Sequence, residues 1–584
     1  MSKPDKYELL AELARRRGFF WSSFEIYGGV SGFIDYGPLG IGLRRRIEEK
    51  WRDLFVRQEG LLEVDTPVIM PGKVFEASGH VEHFKDPIVE CTACKRSYRA
   101  DHLLKERADI EGELLTLEEM DREIRKNLVR CLECGGELSE PKQLGTMFKT
   151  SIGPYAESTA YGRPETAQGI FIDFKRLHEI GRERLPIGIA QIGRSLRNEI
   201  SPRQGPIRLR ELNMMEFEFF FDPEDAECPK LDGVKSEILR LVPAEDRMKG
   251  TEEPVSVTVE DALRCGYILN SWAAYFMVQS KRFVVTLGIP PEKQRFHEKL
   301  PKERAHYSAQ TYDHEVLLDR WGWIELAGHA YRTDFDLKAH MESSGVDMRV
   351  FKPHEQPTKR KVKRLVPQQQ ILGKKFGPKT NEVAKLIAGY DAQAFEHAMI
   401  STGFVEISGY RLGREDVKIV EESIEETGRR FVPHVVEPSF GSDRLLYATL
   451  EYAYTRENDR VILRIPRDLA PIQSVILPLM AKDDLPEKAL LLHKLLLDEG
   501  LDVECDEAGS IGRRYARADE AGVPIAVTVD YVTLKDDTVT LRDRDTWRQV
   551  RAPAAQLSDL LWAYIKGKME FDQLGKPVPK PAES

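Results

Sequence analysis

The sequence predicts an α+β fold in which helices flank an antiparallel β-sheet, a cysteine-bearing module is inserted, and a separate α/β domain follows. Residues 194–200 and 212–221 have the composition of two strands, and the polar loop between them is typical of an antiparallel hairpin. Two Cys-x-x-Cys pairs bracket a segment at 95–130 that is rich in Glu, Arg and Leu. From about residue 466 onward, apolar strands alternate with helices, which is typical of an α/β domain.

The length and composition limit the class of protein. A chain of 584 residues corresponds to three or four domains at roughly 150 residues each. Apolar residues make up 41% and charged residues 31%, a globular balance that excludes collagenous and disordered chains. The net charge is −10, so a nucleic-acid partner would need local basic patches. No apolar stretch approaches a membrane span of about 18 residues and no secretory signal is visible, which predicts a cytoplasmic protein without a membrane partner.

Several elements can be predicted in chain order. A helix is expected at 41–59, with Ile47, Trp51 and Phe55 on one face and Gly60 placed to end it. A strand follows at 61–68, where Pro67 indicates an edge or interface position, or else the end of the strand.

Later elements are predicted in the same way. We expect a helix at 106–127, a solvated basic loop at 359–364 that could instead touch phosphate, and no readable motif at 225–320. In the carboxyl-terminal part we expect strands at 475–479, 501–505 and 524–529 and a helix at 486–499.

Polar residues at i and i+2 lie on one face of a strand, and three such pairs stand out. They are Arg197 with Glu199, Glu216 with Glu218, and Glu437 with Ser439. A solvated surface is the usual explanation of this alternation. The hairpin loop adds Arg203, Arg208 and Arg210, and clustered guanidinium groups match the oxygens of a triphosphate.

The phosphate-binding hypothesis is strengthened by two further features of the sequence. Neither G-x-x-x-x-G-K-[ST] nor G-x-G-x-x-G occurs, so side chains would have to hold ATP. Asp443 suits the first turn of the helix that it begins, but Arg444 beside it does not, which indicates that the arginine serves an anionic ligand.

Longer strings resemble a known family. The helix and proline-bearing strand, the Arg-x-Glu hairpin, and the Gly441-Ser442-Asp443-Arg444 helix start look like motifs one, two and three of class II aminoacyl-tRNA synthetases. The strings at 23–29, 98–102, 163–169, 197–211, 437–441, 512–517 and 541–545 resemble the glycyl-tRNA synthetases of the archaeal and eukaryotic type. The resemblance covers residues from about 20 to about 555, apart from the cysteine module and parts of the middle.

The resemblance implies a function and a set of site residues. It implies that glycine and ATP form glycyl-adenylate and pyrophosphate, and that glycine then passes to the 3′ end of tRNA-Gly. Arg197 and Arg444 would be catalytic through charge, since in-line attack on the α-phosphorus needs positioned cations and Mg²⁺ rather than a nucleophile. The implied ATP-binding residues are Arg197, Asn198, Glu199, Arg208, Arg210, Leu212, Glu325, Leu326, Gly441 and Arg444. The implied glycine-binding residues are Arg99, Glu165, Glu216, Glu437 and Ser439.

The cysteines resemble a zinc ribbon. Cys91, Cys94, Cys131 and Cys134 would form a closed thiolate set around a structural Zn²⁺, whereas a redox pair or chance pairing is the alternative.

Leu212 stands where relatives commonly have a phenylalanine stacked on adenine. Basic and aromatic residues at 513–517 and 542–551 would contact tRNA, unless they form a solvated face.

The resemblance also predicts domains and assembly. The expected domains are the first part of the catalytic core at 1–88, the zinc-ribbon-like module at 89–145, the rest of the core at 146–465 with insertions at about 225–320 and 345–430, an anticodon-binding domain at 466–572 and a disordered tail at 573–584. Motif one predicts a homodimer.

The alternatives to a glycyl enzyme are a prolyl or threonyl enzyme of the same class and a non-catalytic nucleic-acid-binding relative. A class I synthetase is disfavoured because the chain has no HIGH-like or KMSKS-like string.

Overall fold

A computed structural model describes residues 5–110, 112, 115–154, 158–200, 202, 205–457 and 459–578. Its contacts divide the chain into two compact units, one of them Arg349–Val432 and the other the described residues on either side of it. None of the helices in the described ranges has both the length and the apolar character that crossing a bilayer requires.

The α-helices of the described residues are α1 Lys6–Arg17, α2 Pro38–Trp51, α3 Gly72–Ala77, α4 His80–His83, α5 Ala100–Ala108, α6 Leu117–Lys126, α7 Ala167–Ile180, α8 Ala244–Met248, α9 Val259–Arg264, α10 Ser271–Thr286, α11 Phe335–Ser344, α12 Gln369–Phe376, α13 Thr380–Ala388, α14 Ala392–Ser401, α15 Ser442–Ala453, α16 Leu485–Asp498, α17 Ile511–Ala521, α18 Thr533–Asp536 and α19 Leu557–Ile565.

The β-strands are β1 Phe20–Ser22, β2 Ile34–Tyr36, β3 Leu62–Glu63, β4 Ile69–Pro71, β5 Lys85–Glu90, β6 Ser97–Arg99, β7 Lys142–Gly145, β8 Lys149–Ser151, β9 Thr159–Gly162, β10 Ile187–Leu196, β11 Glu211–Phe221, β12 Ile238–Val242, β13 Val255–Thr258, β14 Gln294–Glu298, β15 Gln310–Leu318, β16 Gly322–Thr333, β17 Val350–Pro367, β18 Val405–Ile407, β19 Tyr410–Leu412, β20 Val417–Phe431, β21 His434–Gly441, β22 Tyr454–Glu457, β23 Arg460–Leu463, β24 Ser474–Pro478, β25 Val503–Cys505, β26 Ile525–Val529, β27 Thr538–Asp543, β28 Gln549–Pro553 and β29 Lys576–Pro577.

A nine-stranded sheet forms the centre of the larger unit in the described part of the chain. Its order is β13-β12-β14-β15-β16-β21-β11-β10-β3, and every pairing is antiparallel except β12 with β14 and β10 with β3. The segment 225–320, which has no readable sequence motif, supplies β12 to β15. The predicted antiparallel sheet is therefore confirmed.

One face of this sheet is apolar and carries the main core. Trp51 of α2, Phe217 of β11 and Phe440 of β21 are buried here. The ring of Phe55 lies 5.4 Å from that of Phe217 and 5.2 Å from that of Phe440, so these side chains pack as one aromatic cluster. The apolar face predicted for the helix at 41–59 is thus confirmed. The α-helix, α2, ends at Trp51 and is followed by a π-helical turn, Arg52–Arg57.

The opposite face carries Glu216 and Glu218, and α7 covers it. The ring of Phe174 in α7 lies 4.4 Å from that of Phe220, which is on the same face of β11 as the two glutamates. Both glutamates are buried. The usual explanation of alternation, a solvated surface, therefore does not apply here.

Of the two strands predicted for the hairpin, the structure matches one closely and the other only in part. The second strand, β11, matches the prediction, but the first is β10 and ends at Leu196, so residues 197–199 lie beyond the strand. Glu199 N–H donates to the carbonyl of Arg197 at 2.7 Å, so a tight turn, and not a shared strand face, brings the two residues together.

Other element predictions need correction. The strand expected at 61–68 is only β3, which is the edge strand of the large sheet, and Pro67 lies after it. The helix expected at 106–127 is two helices, α5 and α6. The basic run at 359–364 lies in β17 and not in a loop; Lys359 pairs with Glu425 and Lys363 with Glu421 across the ladder.

The carboxyl-terminal part has the predicted α/β character. A six-stranded sheet of order β25-β24-β26-β27-β28-β29 packs against α16, and its first three strands are parallel. The strands and helix expected at 475–529 coincide with β24, β25, β26 and α16 to within two residues. The disordered tail expected at 573–584 begins too early, because Lys576–Pro577 form β29, which pairs with β28; residues 579–584 lie outside the described ranges.

Candidate active site

A fully buried arginine organises one end of the candidate site. Arg332, on β16, is 0% exposed. Its guanidinium donates to Glu165 at 3.2 Å, to Asp336 at 2.8 and 2.9 Å and to Glu437 at 2.9 Å. The Tyr307 ring centroid lies 3.6 Å from the guanidinium carbon. One cation thus holds three carboxylates that come from distant parts of the chain.

A second pair of glutamates extends this carboxylate cluster. Glu216 accepts from the Thr166 backbone N–H and from the Ser439 hydroxyl, both at 2.6 Å. Both carboxyl oxygens of Glu218 are buried and have no hydrogen-bond partner among the described residues. Burial first, and then the neighbouring charge of Glu437, raises the pKa of Glu218 well above its usual value, which favours its protonated form.

The cluster contains more carboxyl groups than cationic groups. The pKa values of its individual carboxyl groups are therefore shifted in opposite directions. Burial and the charges of Glu165 and Glu216 raise the pKa of Glu437 to about 8, although Arg332 opposes the shift. Burial also pushes the pKa of Glu165 upward, but Arg332 and His80 outweigh it and hold that pKa well below the usual value. A cationic ligand would relieve this repulsion.

Arginines form the other end of the site. Arg444, in the first turn of α15, donates to the Ile207 carbonyl at 2.9 Å and to the Glu325 carboxylate at 3.0 Å. Arg208 forms an ion pair with Glu199 at 3.0 Å. Burial raises the pKa of Glu325, but Arg444 first and then Lys299 outweigh this and lower it to about 2.

A single cleft of about 260 Å³ joins the two ends. The predicted residues that line it are Glu165, Arg197, Glu199, Arg208, Leu212, Glu216, Glu325, Leu326, Glu437, Ser439, Gly441 and Arg444. Residues separated by up to 279 positions in the sequence therefore converge on one cavity, from Glu165 to Arg444.

Three predicted site residues are placed elsewhere. Arg210 donates to the carbonyls of Ser31 and Glu199 at 2.6 and 3.1 Å and so supports the hairpin loop. Asn198 does not line the cleft. Arg99 lies in an adjoining cavity, ion-paired with Asp86 at 3.3 Å and with Asp101. Arg203 lies outside the described residues.

Asp443 has a role that sequence reasoning missed. It was expected only to suit the helix dipole, but its carboxylate accepts from the backbone N–H of Asn213 at 2.6 Å and from the Asn213 side chain at 3.0 Å. The Tyr36 hydroxyl donates to the same carboxylate. Asp443 therefore ties the start of α15, which resembles motif three, to β11 and to β2.

The four cysteines cluster as predicted. The Sγ atoms of Cys91 and Cys134, and those of Cys94 and Cys131, are each 3.5 Å apart. All four ligand atoms lie within 4.8 Å of one another. Four thiolates at about 2.3 Å from a tetrahedral Zn²⁺ would be about 3.8 Å apart, so the donor set fits that ion.

Comparison with known proteins identifies the family. The chain is 49% identical to the glycine–tRNA ligase of Aeropyrum pernix over 98% of its length and 99% of the relative's. It is 49% identical to that of Pyrococcus horikoshii over 97% of this chain and all of the relative, and 44% identical to that of Methanocaldococcus jannaschii over 96% and 99%. The chain belongs to the glycine–tRNA ligase family. The resemblance found in the sequence is thereby confirmed.

The carboxyl-terminal domain of this glycine–tRNA ligase family member is also identified. Residues 473–563 match the family described as anticodon binding domain. Several basic residues expected to contact tRNA there are instead paired internally. Arg514 is buried and donates to the Leu479 carbonyl at 3.1 Å, Arg542 pairs with Asp519 at 2.9 Å, and Arg551 pairs with Asp530. These three arginines stabilise the domain and do not form a basic surface.

In this glycine–tRNA ligase family member, no prediction from the sequence included Arg332, Asp336, Tyr307 or Lys299. The i, i+4 spacing of Arg332 and Asp336 was the one available signal, but such pairs are common on helix surfaces. Their burial depends on packing between α7, α11 and the sheet, which no local pattern reports.

Proposed function

We propose that the chain is a glycine–tRNA ligase whose cleft activates glycine with ATP and transfers the glycyl group to tRNA-Gly. The observation that carries the proposal is the meeting of a carboxylate-rich end and an arginine-rich end in one cleft. An α-amino acid presents an ammonium group and ATP presents phosphates, so the two ends complement the two substrates in charge.

Glycine would bind at the carboxylate-rich end. Glu165, Glu216 and Glu437 would surround its ammonium group, and the Ser439 hydroxyl would orient it. Arg99 lines the adjoining cavity and not the cleft, whereas Arg197 lines both, so we assign the contact with the glycine carboxylate to Arg197 in the first step. Because glycine has no side chain, rigid walls that exclude a methyl group would provide selectivity, at about 1–3 kcal/mol.

ATP would bind at the arginine-rich end. Arg197 would hold the α-phosphate, Arg208 and Arg444 the outer phosphates and base, and Glu199 the adenine, with Leu212 packing against it. Glu325, already ionised, would support Mg²⁺, which supplies charge neutralisation between the phosphates when bound. Gly441 and Leu326 line the same wall.

The proposed chemistry requires no base from the protein in its first step. A glycine carboxylate oxygen bonds to the α-phosphorus as the bond to the bridging oxygen of pyrophosphate breaks, and no proton moves. Arg197 would stabilise the charge that develops on the phosphoryl oxygens. In the second step a ribose hydroxyl of the tRNA end bonds to the glycyl carbonyl carbon, AMP leaves with the electron pair, and the hydroxyl proton passes to a phosphate oxygen of AMP.

The first test is glycine-dependent exchange of labelled pyrophosphate into ATP. Arg197→Ala should lower the exchange rate by about 10²–10³-fold, because it removes a positioned donor to the charged phosphoryl group. Arg194→Ala is the matched control: this arginine is exposed, three residues away, and paired with Glu211, so exchange should stay within about twofold. No exchange in the wild type, exchange with alanine or proline instead of glycine, or an unimpaired Arg197→Ala variant would each contradict the proposal.

A second prediction concerns pH. Glu437 is protonated below about pH 8, and an ammonium ligand favours its ionised form, so glycine should bind with proton release. Between pH 6.5 and 7.5 the glycine affinity should rise by up to about tenfold per pH unit and level off above pH 8. Glycine titrations by calorimetry in two buffers of different ionisation enthalpy measure the released proton.

Glu437→Gln should bind glycine more weakly and lose the pH slope. Glu451→Gln is the control, since Glu451 is buried but bonded to Tyr447 and the Asp319 N–H, away from the cluster. A slope that survives in Glu437→Gln would show that another group carries the proton.

We also propose that the four cysteines hold one structural Zn²⁺, which would order the inserted module and take no part in the reaction. Metal analysis should find about one zinc per chain, and Cys131→Ser should lose it together with the thermal stability of the module. Cys265→Ser, at an exposed cysteine outside the cluster, should keep it. A metal-free protein with a folded module would contradict this assignment.

We propose a homodimer in the cytoplasm, where reduced thiolates remain available as ligands. Support for the dimer comes from exposed apolar side chains between β1 and β2: Ile26 is 89% and Tyr27 84% exposed. Light scattering should give twice the chain mass of 66.8 kDa. Ile26→Asp should shift the mass toward that of the monomer, whereas Ile400→Asp, at an equally exposed isoleucine, should not. A monomeric wild type under active conditions would overturn the assembly proposed here.

A further inference from the structure

Arg208 is an arginine of the candidate active site that few neighbours hold in place. It lines the cleft and directly follows the short 3₁₀ turn Gly205–Ile207. Within the described residues its side chain has two polar partners. The Glu199 carboxylate lies 3.0 Å from Arg208 Nε, and Nδ1 of the His102 ring lies 3.2 Å from Arg208 Nη1. The contact with His102 joins residues 106 positions apart in the sequence.

The surrounding charges alone do not fix Arg208. Burial lowers the pKa of Arg208, and the charge of Glu199 opposes this shift. The nearby cations Arg99 and Arg444 lower the pKa further, so they repel the guanidinium. In the proposed function Glu199 also has a second task, because its carboxylate would bind adenine. A carboxylate that turns toward the base offers less to Arg208, so the contact with His102 matters most when ATP is bound.

The chemistry of this contact gives it a direction. An arginine has only donors, so the guanidinium donates and His102 Nδ1 accepts, which places the ring proton on Nε2. Desolvation first, and then the charges of Arg99 and Arg208, lower the pKa of His102 to about 4. The ring is therefore neutral at physiological pH and can accept the hydrogen bond.

His102 is held in place by the cysteine-bearing module. It lies in the first turn of α5, where its backbone N–H donates to the Asp101 carboxylate at 2.8 Å. Asp101 is 3% exposed and accepts from Arg99 Nε at 3.1 Å. The next two residues, Leu103 and Leu104, are buried in the apolar core that contains two of the four cysteines. The module therefore presents His102 from a rigid element.

A second contact joins the module to the other end of the hairpin loop. The Asn198 backbone N–H donates to the Thr146 carbonyl at 2.7 Å, and Thr146 directly follows β7. β7 pairs with β5, the strand that leads to the first pair of cysteines. The loop between β10 and β11 thus contacts this part of the chain at both of its ends, at Asn198 and at Arg208.

We propose that His102 is a positioning residue for the ATP-dependent step, which holds Arg208 at the cleft while Glu199 binds adenine. The inference rests on the proposed function, because it takes the cleft as the ATP site. In this role His102 contacts neither ATP nor glycine and acts only through Arg208. The inserted module then supports the ATP site, in addition to carrying the metal site proposed above.

The first measurement is a calorimetric titration of the full-length protein with MgATP in the absence of tRNA. His102→Ala should raise the ATP dissociation constant by about tenfold, the factor expected when one hydrogen bond to a charged group is lost. Alanine is a better helix former than histidine, so α5 should still fold. His102→Asn should stay within about twofold of wild type, because the asparagine side-chain oxygen replaces Nδ1 as an acceptor.

Lys105→Ala is the matched control. Lys105 lies on the same helix, three residues further on, and pairs with Asp109 at 2.9 Å. Its replacement should leave the ATP dissociation constant within about twofold of wild type.

A double-mutant cycle separates positioning of Arg208 from a general defect. The factor by which His102→Ala weakens ATP binding should disappear in an Arg208→Ala background, since no guanidinium remains to be held. In pyrophosphate exchange at saturating ATP, the KM for glycine of His102→Ala should stay within about twofold of wild type.

Three results would overturn the inference: equal weakening by His102→Ala with and without Arg208, a His102→Asn variant as defective as His102→Ala, or a glycine KM that rises as much as the ATP dissociation constant. Unchanged ATP binding in His102→Ala, with a wild type that exchanges pyrophosphate, would refute the role of His102 alone. Absence of glycine-dependent exchange in the wild type would refute the proposed function itself.

Discussion

The structure of the site depends on Arg332, a fully buried guanidinium that bonds to Glu165, Asp336 and Glu437. Removing one partner of such a buried network leaves uncompensated charge in a low-dielectric interior, which costs about 3–5 kcal/mol. The arginine neutralises only part of the acid around it, because Glu216 and Glu218 are also near. The protein thus keeps a buried excess of carboxylate that is complementary to a small cation.

This excess explains why the two ends of the cleft differ in character. At the glutamate end, burial and repulsion between carboxylates raise the pKa of Glu437 and Glu218, which favours the protonated forms of these two groups. At the arginine end, Arg444 and Lys299 hold Glu325 ionised. One end of the cleft is therefore suited to bind a cationic group and the opposite end to bind anionic groups, as adenylation of an amino acid requires.

The site also depends on connections that carry no ligand. Asp443 bonds to the backbone of Asn213 and to Tyr36, which fixes the start of α15 beside β11 and β2. Arg210 performs the same task for the hairpin loop by binding two backbone carbonyls. Internal pairing likewise occupies Arg514, Arg542 and Arg551 in the carboxyl-terminal domain. Arginine-rich strings in a sequence therefore predict ion pairs and backbone contacts as readily as they predict phosphate binding.

Local periodicity was enough to predict much of this protein. The alternation in β11 separated Glu216 and Glu218 from Met215 and Phe217, the apolar spacing placed Trp51 and Phe55 on one helix face, and the cysteine spacing predicted the thiolate cluster. The first two signals depend on the backbone repeats of strands and helices, and the third depends on the two-residue separation within each Cys-x-x-Cys pair, so all three can be read along the chain. Burial of the glutamates, the central position of Arg332 and the internal pairing of Arg99 and Arg514 came only from the tertiary structure. They depend on which distant segments pack together, and desolvation and ion pairing act between neighbours in space and not along the sequence.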